Sequence, residues 1–197
     1  MDRAGLRRKL LKAQAEAGDI VLLFGDESEA LTHPYLAHVW AKRGADLRIP
    51  APGQSAKVAM LGVLDWARRE RSVHTSRTKR SSDFLALLEE IDRRYGPKLG
   101  VAIQPIVLVL DNGPIHTSKA TRAALAQRAH WLRVEWLPKY APELNDIEAV
   151  WRDLKRHHLA HQTPSGPEDL DQAIHDAVRK LNTERSRHSL ANRRIAA

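Results

Sequence analysis

The sequence predicts an α/β protein: a mixed five-stranded sheet, three antiparallel strands followed by parallel ones, with helices on both faces. Three observations carry this. Ile106-Val107-Leu108-Val109-Leu110 is an uninterrupted apolar run that stops at Asp111, the pattern of a central strand buried on both faces. Before Arg80, apolar runs follow one another across short polar breaks, as in an antiparallel meander. After Arg80, helical and strand patterns alternate, and right-handed crossovers make the later strands parallel neighbours of the first.

In chain order, Leu6, Leu10, Leu11 and Ala15 recur at helical spacing among Arg3, Arg7, Arg8, Lys9 and Lys12. They predict a basic amphipathic helix over 1–18, an extension or linker whose cationic face meets solvent or DNA. Val21–Gly25 is an apolar run ending in Asp26 and Glu27. Ala37–Ile49, with Val39, Trp40 and the turn signal Lys42-Arg43-Gly44, suits a second strand; Lys57–Trp66 suits a third, and Arg71–Ser76 a short edge strand. Ser81-Ser82-Asp83 opens a helix carrying Phe84, Leu87, Leu88 and Ile91, stopped by Tyr95-Gly96-Pro97. Asn112-Gly113-Pro114 ends the organising strand, and Thr117-Ser118 caps a helix over Lys119–Arg128. A hairpin at Asn112-Gly113 is the alternative, disfavoured because Pro114 and a helical pattern stand where a return strand would begin. Leu132–Leu137 reads as a strand, Pro138–Pro142 as a stiff loop, and Glu143–His158 and Glu168–Asn182 as helices. The expected organisation is a helical extension over 1–18, one domain over 19–185 and a basic tail over 186–197.

A length of 197 residues fits one domain with a full core. A formal net charge of +8 favours an anionic partner, nucleic acid first. The absence of cysteine excludes disulfides, thiolate zinc sites and cysteine nucleophiles. The N-terminus lacks the apolar core of a signal peptide, and no apolar run approaches the ~20 residues that span a bilayer. The expectation is a cytoplasmic protein with no membrane partner.

Asp26 and Asp111 each end a buried strand, and parallel pairing would set those ends side by side. A third acid is available from the helix over 143–158, whose apolar stripe is Leu144, Ile147, Trp151 and Leu154. Glu148 and Glu143 flank opposite edges of that stripe and Asp146 points away, so the geometry leaves Glu148 or Glu143. Clustered carboxylates stay ionised only beside a cation, and hard oxygen donors suit magnesium or manganese. Two such ions ~4 Å apart serve phosphodiester displacement. The plainer alternative is that these acids are caps and surface charges.

Phe24-Gly25-Asp26-Glu27-Ser28, then Leu110-Asp111-Asn112 with His116, then Leu137-Pro138 through Tyr140, Pro142, Leu144-Asn145, Ile147-Glu148 and Trp151 together resemble the catalytic domain of mariner-like bacterial insertion-sequence transposases. These are DDE endonucleases with a ribonuclease-H-like fold. The resemblance covers roughly residues 20–185, with 84 and then 36 residues between the acids. It implies that Asp26, Asp111 and Glu148 are the catalytic, metal-binding acids, which selects Glu148 over Glu143. It further implies magnesium or manganese as cofactor, with two ions. The implied reaction is cutting of one DNA strand by activated water, then attack of the freed 3′-hydroxyl on target DNA.

The implied partner is double-stranded DNA, both transposon ends and target, with TA target sites, bound as a homo-oligomer on the nucleoid. Asn112, His116 and Asn145 match positions flanking the site. His116 also reads as a local helix-start hydrogen bonder, and Glu27 as either a supporting acid or a surface charge. Trp151 matches an aromatic on the catalytic helix and reads as core. Ala141 stands where the family usually has serine, and Asp146 where it often has proline. Relatives carry helix-turn-helix modules upstream, so specific recognition of transposon ends is expected to need a separate upstream region or chain. The rival readings are a ribonuclease-H-like, structure-directed nuclease and a non-catalytic remnant that binds DNA or a full-length transposase.

Overall fold

A computed structural model describes residues 3–51 and 53–187. β1 (Val21–Leu31) lies at the centre of one five-stranded sheet, with β2 (Lys57–Asp65) and β3 (Glu70–Ser76) on one side and β4 (Ile106–Leu110) and β5 (Leu132–Trp136) on the other. β1, β2 and β3 are antiparallel neighbours, while β4 and β5 run parallel to β1. This is the mixed sheet expected from the apolar runs and the resemblance.

Helices cover both faces because β1 and β4 are apolar in every position of their buried halves. On one face α1 (Arg3–Ala17), α5 (Ile147–Asp153) and α6 (Pro167–Arg187) pack against Leu22, Phe24, Met60, Val107 and Val109. On the other, α2 (Ser81–Tyr95) and α4 (Lys119–Gln127) cover Leu23, Leu61, Val63, Leu108 and Leu110. Ser118 starts α4 as anticipated, its hydroxyl accepting the Thr121 backbone N–H at 3.1 Å. A short α3 (Pro114–Thr117) precedes it. The expected tail over 186–197 begins inside α6, and residues 188–197 lie outside the described residues.

The strand expected over 37–49 does not form. β1 runs on to Leu31 and pairs directly with β2, from Leu23 opposite Asp65 to Leu31 opposite Lys57. β3 takes the other edge of β2, so the place expected for 37–49 between the first strand and the strand over 57–66 does not exist. The described residues of this segment, 32–51 and 53–56, instead leave the sheet between Thr32 and Ala56, which are joined by a backbone hydrogen bond of 2.9 Å, and expose Val39, Trp40 and Leu47. The helix expected over 143–158 is broken into a 3-10 turn (Pro142–Leu144), α5 and a π-helical turn (Leu154–His158).

Gly62 sets how close α5 comes to the sheet. A Cβ there would lie 2.6 Å from the Trp151 ring and 3.1 Å from the Ser72 carbonyl oxygen, closer than atoms tolerate. Gly62 pairs with Asp26 across the β1–β2 ladder, so the same contact fixes α5 over the strand that carries Asp26. Gly62→Val is expected to destabilise by about 1–3 kcal/mol through overpacking. Urea unfolding measures this, and an unchanged midpoint would contradict the contact.

Candidate active site

The register of the two central strands brings the first two acids together. Phe24 pairs with Val109 in the parallel ladder, so two residues further on Asp26 stands beside Asp111. Side chains alternate along a strand: Asp26 falls on the face of Leu22 and Phe24, beneath α5, and Glu27 on the opposite face. Glu148 lies in the first turn of α5, anchored by buried Ile147 and Trp151. Asp26, Asp111 and Glu148 line one cleft of about 440 Å³, together with Asn112, Asn145 and the loop from Leu137 to Pro142.

The surroundings push two of these acids in opposite directions. Burial chiefly, with the charges of Glu27, Glu148 and Asp111, pushes the Asp26 carboxyl up to about 7 against the lowering effect of the Glu27 backbone N–H. Asp111 moves the other way. A hydrogen bond from His116 Nδ1 at 2.6 Å holds its carboxyl below the usual range, helped by the Gly113 N–H at 2.9 Å and opposed by partial burial. Gly113 keeps that second bond short: a Cβ there would meet Asp111 Oδ1 at 3.0 Å. Lys155 stands two helical turns beyond Glu148, with Nζ donating to Ser28 Oγ at 2.8 Å. Burial lowers its amine, and the charges of Glu148 and Glu29 oppose that.

The flanking residues divide into two groups. Asn112 and Asn145 line the cleft and brace it: Asn112 Nδ2 donates to the Leu137 carbonyl at 2.6 Å, and Asn145 Nδ2 to the Gly25 carbonyl at 3.1 Å. His116 and Glu27 lie behind it. His116 is wholly buried, edge-on to Phe84, with Nε2 facing Glu27 Oε2 at 3.5 Å. Glu143 lines an adjoining hollow beyond the start of α5 and does not reach the cleft.

Glu27, Asp111 and His116 also offer ligand atoms within 4.8 Å of one another. That grouping shares Asp111 with the cleft acids, but it is the poorer cation site. His116 Nδ1 is already committed to Asp111, and the ring has no exposed surface. Lys139, Tyr140 and Lys155 are additions to the residues expected at the site. Tyr140 sits at the cleft with φ of 58°, a left-handed conformation that a bulky residue seldom adopts. Lys155 has a readable signal, because a residue seven positions after Glu148 returns to the same helical face.

The DDE superfamily endonuclease family matches residues 21–171. An insertion element IS630 uncharacterized 39 kDa protein from Shigella sonnei is 29% identical over 133 residues, 68% of this chain and 37% of that protein. The Mos1 transposase paired-end complex with left transposon end is similar over 93% of this chain and 60% of that one, at 18% identity and a TM-score of 0.56. The Mos1 strand transfer complex is similar over 92% and 58%, at 17% identity and a TM-score of 0.55. These structural likenesses show the shared ribonuclease-H-like fold, and the chain spans well under two thirds of each relative's length. With more than half of its residues matched by that one family, the chain belongs to the DDE superfamily endonucleases.

Proposed function

We propose that this chain is the catalytic part of a DNA transposase, a divalent-metal-dependent endonuclease and strand transferase acting on double-stranded DNA. The observation that carries the reading is the convergence of Asp26, Asp111 and Glu148, from a strand, a strand end and a helix, on one cleft. Burial, together with the charges of Glu27, Glu148 and Asp111, pushes the Asp26 carboxyl up to about 7. Such a cluster has the donor chemistry for hard cations. Magnesium or manganese fits, and Mos1 paired-end complexes with Mn and with Mg are among the similar structures. We assign all three acids as ligands of two ions. Bound there, the ions supply Lewis acidity that lowers the pKa of a water and offsets charge building on the phosphate.

The protein's own residues hold this geometry. His116 and Gly113 fix the Asp111 carboxylate through its Oδ1. Asn112 ties Asp111 to the start of the Leu137–Pro142 loop, and Asn145 ties the start of α5 to β1. Lys139 lines the cleft and Lys155 stands beside Glu148, which suits them to nearby phosphate oxygens. The formal net charge of +8 supports non-specific binding to the duplex. In the proposed reaction, water attacks phosphorus and the 3′ oxygen leaves with a proton. The 3′-hydroxyl then attacks a phosphodiester of target DNA and loses its proton, displacing a second 3′ oxygen that leaves protonated.

The proposed catalytic unit is 19–185, with a helical extension over 1–18 and a basic tail over 186–197. It acts as a homo-oligomer on transposon ends and TA target sites in the cytoplasm, with an upstream region or separate chain supplying end recognition. Among the described residues no helix is long and apolar enough to cross a membrane. The test is nicking of supercoiled plasmid with magnesium or manganese, alongside an RNA–DNA hybrid. Metal-dependent nicking of the plasmid is expected. Cleavage of the hybrid alone would favour a ribonuclease H instead.

A further inference from the structure

α1 lies outside the residues that the family matches, yet it is built into the core beside the candidate site. Leu11 and Ala15 are buried in the same cluster as Ile147, Val150, Trp151 and Leu154. Lys12 also stacks over the Trp66 ring, 5.1 Å from its centre. The polar face of α1 reaches the segment that launches α5. Arg8 Nη1 donates to the Glu143 carbonyl at 2.9 Å and to Asp146 Oδ1 at 3.3 Å, while Lys12 pairs with Asp146 Oδ2. All three side chains are partly buried, so this contact is screened less than a fully exposed ion pair.

Asp146 is the residue immediately before α5, where an aspartate ordinarily takes an extended backbone and caps its own helix. Here it does neither. Its backbone is already helical, at φ −65° and ψ −19°, and its carboxylate makes no capping bond. The carboxylate is turned to α1 instead. Glu148 follows two residues later, and Asn145, one residue before, is bonded to β1. Without the two cations, Asp146 is free to swing back onto the first-turn N–H groups of α5 and take the extended backbone of a cap. That change would rotate the start of the helix that aims Glu148.

We propose that α1 is a strut for the catalytic helix, with Arg8 and Lys12 acting through Asp146 as positioning residues for Glu148. The proposal rests on the reading of Asp26, Asp111 and Glu148 as a metal site. Its readout is therefore manganese affinity by calorimetry on the full chain, with thermal unfolding alongside. Arg8→Ala with Lys12→Ala is expected to weaken manganese binding about 10- to 100-fold, the usual effect of losing a group that orients a metal ligand. The swapped pair, Arg8→Lys with Lys12→Arg, keeps both charges and is expected to bind as wild type. Arg7→Ala is the control on the same helix. It removes the ion pair to Glu135 on β5, at 3.3 Å, and touches nothing at α5, so manganese binding should hold.

If the double alanine variant does not fold, Asp146→Asn, with size kept and charge removed, is expected to show the same weakening. A folded double alanine or Asp146→Asn variant that binds manganese as wild type does would overturn the strut and leave the metal site standing. Equal weakening by Arg7→Ala would overturn it too, by showing that loose packing of α1 alone accounts for the loss. Wild-type protein that binds no manganese would overturn the metal site itself, and the strut with it.

Discussion

Asp111→Asn is expected to abolish metal-dependent nicking of supercoiled plasmid, a loss of at least about 10³-fold if the ions supply most of the charge stabilisation. The substitution changes charge and hardly changes shape. The Asp111 carboxylate is held below its usual range by His116 and the Gly113 N–H, and so is ionised at neutral pH. Its charge is favoured by the fold but its side chain is half exposed, so losing that charge should lower stability at neutral pH only slightly. A variant that nicks at the wild-type rate would remove Asp111 from the reaction. A variant that fails to fold would show that its bonds to His116 and Gly113 are structural first.

Asp26→Asn is expected to do the reverse to stability while also ending catalysis. In metal-free protein the Asp26 carboxyl titrates near 7 rather than 3.8. Between those values the folded state holds a proton that the unfolded state has released, so stability falls as pH rises from about 4 to about 7. At 1.36 kcal/mol per pH unit the penalty above pH 7 is on the order of 4 kcal/mol. Asparagine still buries a polar group, so a gain of about 2 kcal/mol is expected at pH 8, or roughly 4–8 °C in Tm. Because the asparagine does not titrate, the gain should shrink as pH falls and turn into a loss of about 2 kcal/mol near pH 4, and added manganese should stabilise wild type alone. A difference that is flat with pH would mean that burial and its neighbours do not hold Asp26 above the usual carboxylate range.

How much of the chain is legible depends on whether a feature is local. β4 and the acid after it stand out because five apolar residues in a row, all buried, suit a central strand and little else. β1 is legible only to Gly25, because its second half, from Asp26 to Ala30, is mostly polar and intermediate in burial. Nothing local says that such residues continue to pair. The segment 37–49 has apolar residues and a turn signal, but β1 pairs directly with β2 and leaves no place between them, and strand pairing is a property of the sheet. Glu148 and Glu143 are inseparable by periodicity because a continuous helix would set both beside the apolar stripe. The backbone breaks at Asn145 and puts them on different elements. His116 is ambiguous for a similar reason: its burial is created by α2 and β1. The charged half of α1 reads as a solvated or DNA-facing surface, whereas two of its cations are used on Asp146.

The most direct test of the central claim is calorimetric titration of the chain with manganese at pH 7.5, beside Asp26→Asn, Asp111→Asn and Glu148→Gln. Three carboxylates sharing a cation predict saturable binding by wild type, at a stoichiometry of two if both ions are held without DNA. Each substitution should weaken that binding at least about 10-fold. Absence of binding by folded wild-type protein, or binding that survives all three substitutions, would contradict the claim that these acids form one metal site.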